Sequence, residues 1–123
     1  MPKKTEVKWL SKMEPQDYAA ALSYLSLIYE PGKAKAKVNK LKRAPLSKFK
    51  AKDIFRASHL SLLGGGNSHV KKDRQKIKAG RALSPLLLVR DSLKGKVVIA
   101  DGYHRLCAVY FYDEDALIPC CIV

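Results

Sequence analysis

The sequence predicts an α+β domain, a small mixed β-sheet with packed helices, preceded by an N-terminal helical pair. Three observations lead there. Residues 16–30 carry apolar side chains every three or four positions, the period of an amphipathic helix, and residues 33–44 continue in a lysine-rich, helix-permissive run. Two apolar runs, Leu86-Leu87-Leu88-Val89 and Val97-Val98-Ile99-Ala100, flank the turn-forming segment Asp91-Ser92-Leu93-Lys94-Gly95 and read as two strands. The second run meets Asp101-Gly102 and then Leu106, Val109 and Tyr110 at helical spacing, which is strand, tight turn, helix.

A chain of 123 residues with 47% hydrophobic residues can bury a real core and fits one domain with a helical arm. Its net charge of +13 points to polyanions (nucleic acid, nucleotides or an anionic membrane surface) or to no more than a soluble lysine-rich surface. The charge is uneven. Thirteen Lys and Arg lie within residues 1–52, against Glu6, Glu14, Asp17 and Glu30. From Asp101 onward Arg105 alone opposes Asp101, Asp113, Glu114 and Asp115. No apolar stretch is long enough to span a bilayer, and the start MPKKTEVKW lacks the apolar region of a signal peptide. Three cysteines without framework spacing argue against a disulfide-stapled secreted protein, so the expected location is the reducing cytoplasm.

In chain order, residues 1–14 read as a charged lead-in from which Trp9 and Leu10 dock elsewhere. The first helix is anchored by Tyr18, Ala21, Leu22, Leu25, Ile28 and Tyr29, carries Asp17 near its positive end, and is broken by Pro31-Gly32. The second has Val38 and Leu41 as anchors and is closed by Pro45. Its cations Lys33, Lys35, Lys37, Lys40, Lys42 and Arg43 go nearly all round. They suit contact with a nucleic-acid backbone, or equally a solvated helix face. No aromatic interleaves them, so base stacking on this segment is not supported. Phe49, Ile54 and Phe55 suggest a strand or short turn. The run SLLGGGNS then leads to Asn67 or Ser68 as N-cap of a short basic helix with Val70, Arg74 and Ile77 on one side and Gly80 as its stop. Pro85 opens the first of the two apolar strands, Asp113-Glu114-Asp115 marks the exit of the last helix, and residues 116–123 return as a strand.

The chemistry concentrates at the start of that last helix. The first backbone N–H groups of a helix lack internal partners and carry the positive end of its dipole, so His104 and Arg105 there make an anion or phosphate seat. The alternative is a surface histidine with Arg105 paired to the Asp113–Asp115 cluster. Asp101 reads as an N-cap or turn residue, or as a carboxylate facing a metal or a substrate hydroxyl. The triple glycine lacks the Lys-Ser/Thr that a phosphate-binding P-loop needs directly after it, so it reads as a lid or pocket edge. His59, His69 and His104 are too scattered for a zinc site, adjacent Cys120 and Cys121 in a strand face opposite ways, and Cys107 reads as packing. No protein-held metal is expected, though a nucleotide would bring magnesium. Asp113-Glu114-Asp115 has the composition of a nuclease carboxylate cluster, and equally of a solvated helix end.

The segment IADGYHRLCA, preceded by SPLLLV and a helix ending KIKAG, resembles the ParB/sulfiredoxin-like superfamily, whose domains carry a strand followed by a DG-x-HR-like turn and helix. The resemblance covers residues 49–123 and leaves residues 1–48 as a basic helical extension. It implies a nucleotide-phosphate site at Gly102, His104 and Arg105, with an opposite wall near Asn67, Ser68, His69 and Lys72. ATP or CTP is the implied cofactor and nucleotide the implied partner, with DNA as a second partner held by the basic helices at residues 33–43 and 71–78. The superfamily also contains sulfiredoxins, free-serine kinases and nucleases. Sulfiredoxins place a cysteine directly before the His-Arg pair, where this chain has Tyr103. The kinases, closest at the turn itself, use a glutamate base shortly after their first strand. Residues 49–73 hold no glutamate, only Asp53 and Asp73. If the site acts on a phosphoryl group, Asp101 and His104 are its catalytic candidates.

Overall fold

Four consecutive apolar residues at Leu86–Val89 require cover on both faces of their strand, because successive side chains alternate between faces. The architecture supplies it. The computed structural model describes residues 6–64 and 66–123, so the first five residues of the lead-in and Gly65 of the glycine run lie outside the described residues. In chain order the elements are β1 (Lys8–Trp9), α1 (Pro15–Ile28), α2 (Pro31–Arg43), β2 (Ser47–Lys50), α3 (Ala51–Ser58), α4 (Ser68–Lys78), β3 (Ala82–Leu83), β4 (Leu86–Asp91), β5 (Lys96–Asp101), α5 (Tyr103–Tyr112) and β6 (Leu117–Ile122). The main sheet runs β2-β6-β4-β5; β4 pairs antiparallel with β5 and parallel with β6, and β2 pairs antiparallel with β6. This is the mixed α+β architecture that the sequence predicts.

Each face of the sheet has its own helical layer. Leu86 and Leu88 join Ile99, Leu106, Ile118 and Cys120 in a cluster closed by α3, α4 and α5. Leu87 and Val89 join Val98, Ala100 and Cys121 on the other side, closed by Ala21 and Leu25 of α1 and Ala34, Val38 and Leu41 of α2. Cys120 and Cys121 thus separate to opposite faces, as strand alternation requires. Residues on both sides of position 48 share one sheet and one core, since β2 runs from Ser47 to Lys50.

Local chemistry explains the element ends. The Glu14 N–H donates to the Asp17 carboxylate at 3.0 Å, which steadies the first turn of α1. Pro31 does more than break that helix: it is the first residue of α2, where its missing N–H costs nothing. Asn67 is the N-cap of α4, its Oδ1 accepting from the His69 and Val70 amides at 3.0 and 3.3 Å. Gly80, at φ +73°, ends α4 in the left-handed conformation that glycine adopts without strain.

Two local expectations are corrected. The segment around Phe49 is not a strand or short turn alone but a four-residue strand followed by the helix α3, whose Ala51 and Ile54 are buried. Residues 8–9 are not merely a lead-in but a short strand pairing in parallel with residues 82–83, and Leu10 N–H bonds to Leu83 O at 2.8 Å. Trp9 docks against the α3–α5 side of the core, as expected of it.

Candidate functional site

β5 ends at Asp101 and α5 begins at Tyr103, so the whole reversal is left to Gly102. Its φ of +107° is a conformation L side chains rarely adopt, and a Cβ there would come within 2.7 Å of Leu86 Cγ and 3.0 Å of Arg105 Nη2. Glycine is required on both counts. The first hydrogen bond of α5 runs from Leu106 N–H to Gly102 O at 2.9 Å, so the preceding amides stand outside the helix ladder.

The N-terminal turns of α4 and α5 lie side by side. The rings of His69 and His104 are 4.7 Å apart, and further along, the Tyr112 hydroxyl donates to Arg74 O at 3.4 Å, so the two helices run in the same direction. The start of α5, with the positive end of its dipole, therefore faces the flank of α4. Between them is a cleft of about 230 Å³ lined by His69, Lys72, Asp73, Lys76 and, from the turn, by Asp101, Gly102, His104 and Arg105.

Six residues that the sequence picks out line it: His69, Lys72, Asp101, Gly102, His104 and Arg105. Asn67 and Ser68 do not; the Asn67 side chain is occupied in capping α4. Lys33, Lys35, Lys40, Lys42 and Arg43 are exposed on α2, on the opposite face of the sheet, and Lys37 is half-buried over the Tyr29 ring. Sequence reasoning does not place two members in the cleft: Lys76, and Asp73, which it weighs only as a possible base. Lys76 follows Lys72 by one helical turn, and Asp73 stands beside it; i, i+4 spacing from a suspected site residue is the signal that finds Lys76. Asp53, the other carboxylate weighed as a base, lies elsewhere, at a groove beside Phe49 and Ile54.

Asp101 is not the cap of α5, a position held by Gly102. Its carboxylate accepts from Arg105 Nη2 at 3.0 Å. Nor does Arg105 pair with the Asp113–Asp115 cluster: it is held by Asp101 and by Pro85 O at 3.2 Å, while Lys52 pairs with Asp115. Burial pushes the Asp101 carboxyl above the usual range, with Arg105 opposing and neighbouring Asp17 adding to the rise. Burial raises Asp73 too, against the pull of Lys76, Arg105, His104 and His69. His104 is held below the ordinary histidine range by burial first and by His69 next, with Asp73 pulling the other way. The Arg105 Nε–H is buried without an acceptor among the described residues.

Cations and hydrogen-bond donors predominate in this arrangement. Two lysines and an arginine face two carboxylates here, with two imidazoles beside them. Tyr103 donates its hydroxyl to Ser61 O and tethers the loop before α4. Cys107, fully buried one turn on, has its thiol pushed up by burial, which suits packing rather than nucleophilic attack. Among the described residues no group of three or more His, Cys, Asp or Glu is placed to hold a metal ion, and no helix is long and apolar enough to cross a membrane. No family model matches the chain, and neither a curated protein nor a solved structure matches it.

Proposed function

We propose that the cleft between α4 and α5 binds the phosphoryl groups of a nucleotide, ATP or CTP, in the manner of the ParB/sulfiredoxin-like domains that the IADGYHRLCA turn resembles, and that the protein associates with DNA through its basic helices. The observation that carries this reading is the convergence of the start of α5 with His69, Lys72, Lys76, His104 and Arg105 on one cleft. At about 230 Å³ the cleft falls below the roughly 300–1,000 Å³ of sites that enclose a drug-sized molecule, so it suits phosphoryl groups with the base left outside. Magnesium arriving on the nucleotide would offset charge between the phosphates and Asp73 or Asp101. Three free, buried thiols accord with a reducing cytoplasm.

A panel of nucleoside triphosphates and diphosphates in a thermal-shift assay tests the first half. Stabilisation lost in Lys72→Ala supports it, and no shift with any of them overturns it. For the second half, a duplex gel shift at two salt concentrations is expected to weaken steeply as salt rises.

Asp73 favours a second reading, a small-molecule phosphotransferase similar to the free-serine kinases. It is a carboxylate with raised proton affinity standing in the cleft beside His104, suited to accepting a substrate hydroxyl proton. Phosphoryl transfer from ATP or ADP to free amino acids, abolished in Asp73→Asn and His104→Ala, tests it. A ParB-like nuclease, the other alternative, is tested by metal-dependent cleavage of DNA.

A further inference from the structure

The basic surface does not stop at the cleft. Beyond Lys72 and Lys76, α4 continues into a depression reaching Arg81, and on its next side into one bounded by Gly66, Lys71, Arg74 and Lys78. Asp73 is the one acid on this helix, and it is half-buried in the cleft. Beside the second depression stands Phe111 of α5, 55% exposed. The Arg74 guanidinium lies 3.8 Å from the centre of its ring, and Tyr112 meets it edge-on at 5.4 Å.

A single exposed aromatic is ordinary. One stacked by a guanidinium and flanked by lysines is the chemistry of a base-stacking platform, where a flat π-face takes a base and the cations track the backbone. We infer that this α4–α5 flank binds single-stranded nucleic acid, a base stacking on Phe111 and neighbouring phosphates meeting Lys71 and Lys78. The inference rests on the reading that the protein contacts nucleic acid, and it adds the form and the place. A duplex keeps its bases stacked inside, so it cannot use Phe111 in this way. The spacing is suitable. Phe111 follows His104 by seven residues on one helix, about 10 Å at 1.5 Å per residue. Roughly three steps of a stacked strand at about 3.4 Å each cover that distance. One short oligonucleotide can therefore place a phosphate in the cleft and a base on the ring.

The test is fluorescence anisotropy with a labelled oligothymidylate of about a dozen nucleotides, within the range of known single-strand site sizes, against a duplex of equal length in the same buffer. The single strand is expected to bind more tightly. Phe111→Ala is expected to weaken that binding about tenfold while leaving the thermal shift with ATP unchanged. Phe111→Trp keeps the affinity, and its indole emission is quenched by the oligonucleotide. Equal or tighter binding of the duplex overturns this inference and leaves the broader nucleic-acid reading standing. An affinity in Phe111→Ala within twofold of the parent, with no quenching in Phe111→Trp, also overturns it. If neither single strand nor duplex binds the parent protein, both readings fall together.

Discussion

His69 and His104, 35 residues apart in the chain, bring their imidazole rings within 4.7 Å of each other across the mouth of a cationic cleft. Burial first, and the neighbouring His69 next, oppose a proton on His104. Its proton affinity is therefore lower in the folded chain than the ordinary value of 6.5. A histidine depressed in this way contributes stability that is complete above the unfolded value and is lost as pH falls through the folded one. Asp73 and Asp101 have the opposite sign. Their raised proton affinity favours the folded state at low pH, a contribution lost as pH rises from the ordinary 3.8 through the folded value. The His104→Gln protein is therefore expected to lose less stability than the parent between pH 7 and pH 5, measured as urea midpoints at each pH. An identical pH profile in the two would contradict the placement of His104.

Gly102 sets the geometry of the whole turn. Gly102→Ala forces a side chain onto Leu86 and the Arg105 guanidinium at a φ of +107°. Backbone strain and overpacking together are expected to cost about 2–4 kcal/mol, read by urea denaturation, and the nucleotide thermal shift is expected to vanish with it.

The α1–α2 layer is core, not appendage, in energetic terms. Leu25 is fully buried against the sheet, so Leu25→Ala is expected to destabilise the entire fold by about 2–5 kcal/mol in one cooperative transition. A separate early transition, with the sheet still folded, would contradict the shared core.

All three thiols are buried, and burial pushes the Cys120 thiol up to about 12. Thiolate is the reactive form, so native protein is expected to resist iodoacetamide at pH 8 and to label only as fast as it unfolds. Rapid native labelling of Cys120 would contradict its burial.

Much of this was legible in the sequence where one physical rule acted alone. The doubly apolar run at Leu86–Val89, the Asn67 cap, the Gly80 stop and the opposite faces of Cys120 and Cys121 each follow from a local rule. What was not legible depends on distant partners. α3 looked like a strand because Phe49, Ile54 and Phe55 lack a long helical period, and only docking of Ala51 and Ile54 onto the sheet makes the helix worthwhile. The two-residue strand at Lys8–Trp9 exists because Ala82–Leu83 lies alongside it. At the cleft, His104 and Arg105 stood out through their place after the turn. Asp73 did not, since nothing local shows which side of α4 faces α5. Asp101 looked like a cap because aspartate before glycine usually is one. Its pairing with Arg105, four residues on, removes it from that role.

The account stands most directly on calorimetric titration of ATP into the parent, Lys72→Ala and His104→Ala proteins, at pH 6 and pH 8 and at two salt concentrations. It predicts saturable binding to the parent, tighter at the lower pH because the bound phosphates draw a proton onto His104. It also predicts weakening with salt and roughly tenfold loss in each variant, the scale of a charge-assisted hydrogen bond. No saturable binding to the parent, or equal binding to all three proteins, would contradict it.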